Sequence, residues 1–153
     1  MGVLMLYRAH RIIMNADIKE MFLQFPVAKK DRDFQAFLWH VNPATEPDLF
    51  INLQHVFGAK CSPAIANQAV AVAVRCVDLE LVEIVKCCLY MDDYYCGSDK
   101  ASDVVNRFQH LHKAMRVSSL EMGKIQSNSP SVLAHFPDEE KAPSFREIDE
   151  LSA

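Results

Sequence analysis

The sequence predicts an α+β domain, a ferredoxin-like antiparallel sheet with helices packed on one face. Three observations carry this expectation. The apolar segments run in the order strand, strand pair, helix, strand hairpin, helix, close to the split βαβ pattern. Two long stretches hold an apolar stripe at helical spacing. Finally, 153 residues that are 50% hydrophobic suffice to bury one core.

Taken in order, "RIIMNAD" predicts a strand ending at Asp17, and "IKEMFLQF" a short helical turn stopped by Pro26. "QAFLWHV" and "LFINLQHVF" have strand composition, and the Asn-Pro and Glu-Pro pairs between them mark the loop of a hairpin. "SPAIANQAVAVAVRCVDLEL" predicts a helix with Ser62 as N-cap and Pro63 at the first helical position. Its polar Asn67, Gln68, Arg75 and Asp78 fall within roughly a 100° sector, which leaves the remaining face apolar and buried. "EIVKCCLY" and "YYCG" predict two strands, in which Cys87 and Cys88 point to opposite sides as packing residues. "SDVVNRFQHLHKAMRV" predicts an amphipathic helix with Val104, Phe108, Leu111 and Met115 on one stripe. No internal repeat or low-complexity segment interrupts this pattern.

Charge divides the chain at about residue 136. Of 16 basic and 20 acidic residues, the stretch "PDEEKAPSFREIDELSA" holds two and six, so residues 1–136 carry 14 of each and the end carries the whole net −4. Residues 1–136 are the expected domain. Residues 137–153 are expected to be a solvated, flexible acidic tail with at most a short helix, opened by a capping box of Ser144 and Glu147. A charge-balanced body does not advertise nucleic-acid binding by itself. The five cysteines are odd in number and lack C-x-x-C spacing, which argues for reduced thiols rather than a disulfide framework or zinc site. No apolar run approaches membrane-spanning length, and Arg8 and Arg11 follow the apolar start without a basic segment before it. These features fit an intracellular, cytoplasmic protein with no membrane partner.

Between the two predicted strands lies "CLYMDDYYCG", with Asp92 and Asp93 side by side at the bend. Adjacent carboxylates repel, and one pKa rises unless a cation lies between them. In the expected sheet, the end of the first strand and the hairpin tip are neighbours, so Asp17 would join the pair. Three converging carboxylates suit hard divalent cations, which prefer oxygen ligands. Two such ions roughly 3.5 to 4 Å apart support phosphoryl transfer, activating the attacking hydroxyl and stabilising the leaving oxygen.

Four blocks in this order, "ADIKEMFLQFPV", "FGAKCSPAIAN", "LYMDDYY" and "LEMGKIQSNSPSVL", resemble the palm of a reverse transcriptase. The resemblance runs from about Gly2 to Pro137 and is greatest to polymerases of BEL/Pao-type long-terminal-repeat retrotransposons. It implies an RNA-directed DNA polymerase, a nucleotidyltransferase, with two Mg²⁺ or Mn²⁺ ions held by Asp17, Asp92 and Asp93 of the first block and the YMDD motif. It implies that Phe22 is the aromatic gate crowding the sugar 2′ position. Phe57, Gly58, Ser62 and Pro63 would lie beside the incoming nucleotide and template, with Tyr90 and Met91 beside the substrate. Lys124 would protonate the leaving pyrophosphate. Ile125 departs from the usual tryptophan of that block, and Ser118 and Ser119 from its usual glycine pair. The implied partners are an RNA or DNA template with its primer, and deoxynucleoside triphosphates. Fingers and thumb are expected outside these blocks, so weak nucleic-acid binding is expected for the fragment alone.

Two other classes share some of these features. A non-catalytic retrotransposon remnant or recruited interaction domain would keep the fold without the activity. Another palm-type nucleotidyl transferase or cyclase would share the carboxylates, but "FGAKCSP" between the acidic blocks counts against it. His110 and His112, two positions apart on a helix, do not share a face for metal binding, and Trp39 has no pattern of base stacking.

Overall fold

In the computed structural model, which describes residues 3–143, the chain opens with α1 (Val3–Arg8) and enters β1 (Ile12–Ile18). Burial alternates along β1, so Met14, Ala16 and Ile18 face the core while Asn15 and Asp17 lie on the opposite face. A 3₁₀ turn (Met21–Gln24) and a second (Lys29–Gln35) lead to β2 (Ala36–Trp39) and β3 (Asp48–Ile51). These two strands form a separate antiparallel hairpin, exposed along its whole length.

Next come α2 (Ser62–Arg75), α3 (Glu80–Cys88), β4 (Leu89–Tyr90), β5 (Asp93–Ser98), α4 (Ala101–Val117) and β6 (Met122–Ser127). A short α5 (Pro130–Leu133) and a 3₁₀ turn (Asp138–Glu140) complete the described residues. The main sheet has the order β4-β5-β1-β6, and every neighbouring pair is antiparallel. This is the strand order of the ferredoxin-like split βαβ fold. The predicted stripe of α4 (Val104, Phe108, Leu111 and Met115) is fully buried against Met14, Tyr94 and the rest of the core. Ala66, Val70 and Val74 of α2 close the same core, and Phe136 packs edge-on to Phe108 with ring centroids 5.2 Å apart.

Several expectations need correction. Residues 83–88 are helical, so α3 stands where a strand was expected and strand structure begins only at Leu89. The reason is local. The Asp78 carboxylate accepts the Glu80 N–H at 2.9 Å, Glu80 and Glu83 begin the helix with Lys86 in its last turn, and Leu81 and Val85 bury one side at i, i+4 spacing. Cys87 and Cys88 therefore end a helix and do not alternate across a sheet. Ser62 is inside α2, behind Cys61 at the N-cap position, and its hydroxyl donates to the Val56 carbonyl at 2.9 Å. The apolar face of α2 is only partly covered, with Ile65 and Val72 exposed beyond the width of the core. Residues 137–143 add to the sheet edge: the Ala142 N–H donates to the Ile125 carbonyl at 3.0 Å, and Lys141 bridges Ile125 in parallel. The expected capping box of Ser144 and Glu147 lies outside the described residues. Among the described residues, no helix is long and apolar enough to cross a membrane.

Candidate active site

The β1–β5 register sets Asp17 directly opposite Asp93. Tyr90 pairs with Asp93, so Met91 and Asp92 form a two-residue turn between β4 and β5. Met91 has φ 55°, and a positive φ at the first turn position is the type II′ solution that matches strand twist. For a residue with a Cβ this conformation costs about 1–2 kcal/mol, so the surroundings must hold it. They do so through the backbone: the Ile18 N–H donates to the Asp92 carbonyl at 2.7 Å, tying the hairpin tip to the end of β1. The three aspartates thus meet where β1 ends and the hairpin turns.

A bulge in β6 supplies the fourth group. Asn15 pairs with Gln126 and Asp17 with Gly123, which leaves Ala16 opposite both Lys124 and Ile125. Lys124 takes φ 51°, the left-handed conformation of a bulge's extra residue. The two bulged side chains then separate. Ile125 enters the core at 1% exposure, while Lys124 Nζ reaches Asp17 Oδ2 at 3.0 Å. Ile125, where the resemblance implies a tryptophan, is therefore a core residue.

Burial raises the Asp93 pKa, Tyr95 lowers it by donating its hydroxyl to Oδ2 at 3.1 Å, Asp92 and Asp17 raise it, and Lys124 lowers it. The Lys124 pKa is raised, first by its hydrogen bond to Asp17 and the charge of that carboxylate, then by Asp92 and Asp93. The oxygen donors suit a hard cation, and the ammonium of Lys124 already occupies that role at Asp17. Among the described residues, however, no three His, Cys, Asp or Glu side chains are arranged to hold a metal ion. Asp17 is turned to Lys124 and Asp93 to Tyr95, so the carboxylates converge without pointing at a common centre.

The other sequence-derived positions lie in the 3₁₀ turn after β1, in the loop before α2 and its first turn, and in the β4–β5 hairpin. Phe22 is buried, with its ring edge-on to the exposed Phe57 at 4.7 Å between centroids. Gly58 has φ 89° with open space around a would-be Cβ, so the glycine serves the backbone conformation rather than a close approach. Ser62 is buried and bonded to Val56, while Pro63 lies in the first turn of α2. Tyr90 and Met91 are exposed at the hairpin. His110 Nε2 pairs with Asp78 at 3.1 Å, on a different face of α4 from His112, which lines the cavity beside Asp17. Sequence reasoning missed Tyr95, whose signal was its place two residues after Asp93 on the same strand face.

The family model for reverse transcriptase (RNA-dependent DNA polymerase) matches residues 3–126, which include all three aspartates and the Lys124 bulge. The chain belongs to the reverse transcriptase family. No curated protein matches it.

Proposed function

We propose that residues 1–136 are the palm of an RNA-directed DNA polymerase of BEL/Pao type, adding deoxynucleotides to a primer 3′ end on an RNA or DNA template. Asp17, Asp92 and Asp93 would hold two Mg²⁺ or Mn²⁺ ions. When bound, the ions supply activation of the primer hydroxyl and charge stabilisation at the leaving oxygen. The observation that carries this reading is the register pairing of Asp17 with Asp93 beneath a turn that contains Asp92.

The chain's own residues contribute position and protons. Two central strands fix the carboxylates, which limits the reorganisation needed as charge develops. Lys124, held protonated beside Asp17, is the donor for the pyrophosphate once it leaves that ion pair. Phe22, backed by Phe57, forms the wall against a ribose 2′-hydroxyl.

The Lys124–Asp17 ion pair favours a second reading, a non-catalytic interaction domain in which the ammonium replaces the metal permanently. Extension of a primed RNA template by the purified chain in Mn²⁺, abolished by Asp92→Asn, would support the polymerase. Absence of both extension and Mn²⁺ stabilisation would support the interaction domain.

A further inference from the structure

Between the start of α2, the second 3₁₀ turn and the segment before that turn lies a cavity of about 540 Å³, a size that holds small organic ligands. It shares no lining residue with the two clefts at the carboxylate edge. Val27, Phe34, Ala59 and Ile65 give it a wall that is mostly carbon. Two polar side chains, Gln35 and His55, complete that wall. Both are anchored through the backbone. The His55 N–H donates to the Phe25 carbonyl at 3.1 Å, and the Gln35 carbonyl accepts the Asn52 N–H at 3.2 Å.

His55 is only 7% exposed, and its Nδ1 is buried with no hydrogen-bond partner among the described residues. Gln35 Oε1 is buried and unpartnered in the same way. Buried polar atoms are nearly always paired, so two orphans on one cavity wall point to a partner brought by a ligand. Their chemistry narrows what that ligand is. The amide oxygen only accepts, and in its Nδ1–H tautomer the imidazole donates. A carboxylate or phosphate brings acceptors alone and opposes Gln35 Oε1 with another oxygen. A metal ion is excluded on geometry, because His55, Asp31 and Cys61 line the cavity without the arrangement that holds one. An organic cation gains little at the rim, where Lys29, Lys30 and Arg32 share the 3₁₀ turn with Asp31.

We infer that this cavity binds a phenolic ring. One phenol oxygen is both donor and acceptor, so it donates to Gln35 Oε1 and accepts from His55 Nδ1–H while the ring lies against the carbon wall. The hydroxyl then satisfies both orphans at once. A small phenol and the tyrosine side chain of another polypeptide carry this same chemistry. The inference does not depend on the polymerase reading, since none of these residues belongs to the carboxylate edge.

The test is titration of the 153-residue chain with p-cresol, toluene and the tripeptide Gly-Tyr-Gly, followed by calorimetry and saturation-transfer NMR. The parent should bind p-cresol about tenfold more tightly than toluene, the margin expected of two modest hydrogen bonds. Gln35→Leu with His55→Phe should erase that preference, and Ala59→Leu, which narrows the cavity, should weaken both ligands. Thermal unfolding of each variant checks that the fold is kept. Tripeptide binding alongside p-cresol supports a tyrosine side chain as the source, and p-cresol binding alone supports a small molecule. Toluene bound as tightly as p-cresol by the parent, or no binding of p-cresol at all, would overturn the inference without recourse to any variant. So would a preference for p-cresol that survives in the folded double variant.

Discussion

In β1, Met14 and Ala16 are fully buried, whereas Phe37, Leu38 and Trp39 of β2 are 42%, 64% and 62% exposed. Both strands are short and apolar, and both are paired. The difference lies in what crosses them. The β1 sheet is covered by α2 and α4, and its alternation gives one face to the core and the other to the aspartates. Among the described residues no helix buries the β2–β3 hairpin, and a lone two-stranded hairpin is marginally stable in water. Strand composition therefore predicts pairing, while burial depends on the segments that return over the strand. The covered sheet is the rigid support on which a charged site can be held.

The largest effect that would test this contrast is loss of the ring at the centre of the covered region. Phe108→Ala should destabilise the chain by about 3–5 kcal/mol in urea unfolding, because the buried ring leaves a cavity. A loss below about 1 kcal/mol would show that the core is loosely packed there. Saturating Mn²⁺ should come next, adding about 2.7 kcal/mol at a hundredfold excess over Kd if the aspartates bind it in the native state. Asp17→Asn should erase that increment in thermal unfolding.

A smaller effect is expected at high pH. Burial, with Cys96 and Cys87 adding to it, pushes the Cys88 thiol from 9.0 up to about 11. In that window the unfolded thiol has lost its proton while the native one keeps it, so stability is full below pH 9 and falls as pH rises toward 11. Cys88→Ala should flatten this slope in chemical unfolding measured across the range. The smallest effect belongs to the hairpin: Trp39→Ala should stay within about 0.5 kcal/mol of the parent in the same urea experiment. A core-sized loss there would mean that the hairpin is covered in solution.

Much of this contrast was legible in the sequence. The α4 stripe announced itself because its period matches one helix face, and the β1 and β5 segments because the aspartates sit among apolar runs. The α3 segment misled because a short run such as "EIVKCC" fits a buried strand as well as a helix. The deciding signal was the Asp78 carboxylate before it, which accepts the Glu80 N–H at the helix start. At the site, the meeting of Asp17 with Asp93 followed from the expected topology. The bulge at Lys124 did not, since a left-handed lysine carries no residue signature. The turn at 138–140 was hidden for a different reason: its acidic composition matches a solvated tail, and the two backbone contacts to Ile125 are independent of side-chain type.

On the proposed reading, Asp17, Asp92 and Asp93 form a cation site, and the Lys124 ammonium pairs with Asp17 when no metal is bound. Mn²⁺ titration followed by electron paramagnetic resonance tests it most directly, on the parent chain, Asp17→Asn with Asp93→Asn, and Lys124→Ala. The account predicts binding by the parent, loss of that binding in the double aspartate variant, and tighter binding after removal of the lysine. Parent-like Mn²⁺ affinity in the aspartate variant, or weaker binding in Lys124→Ala, would contradict it.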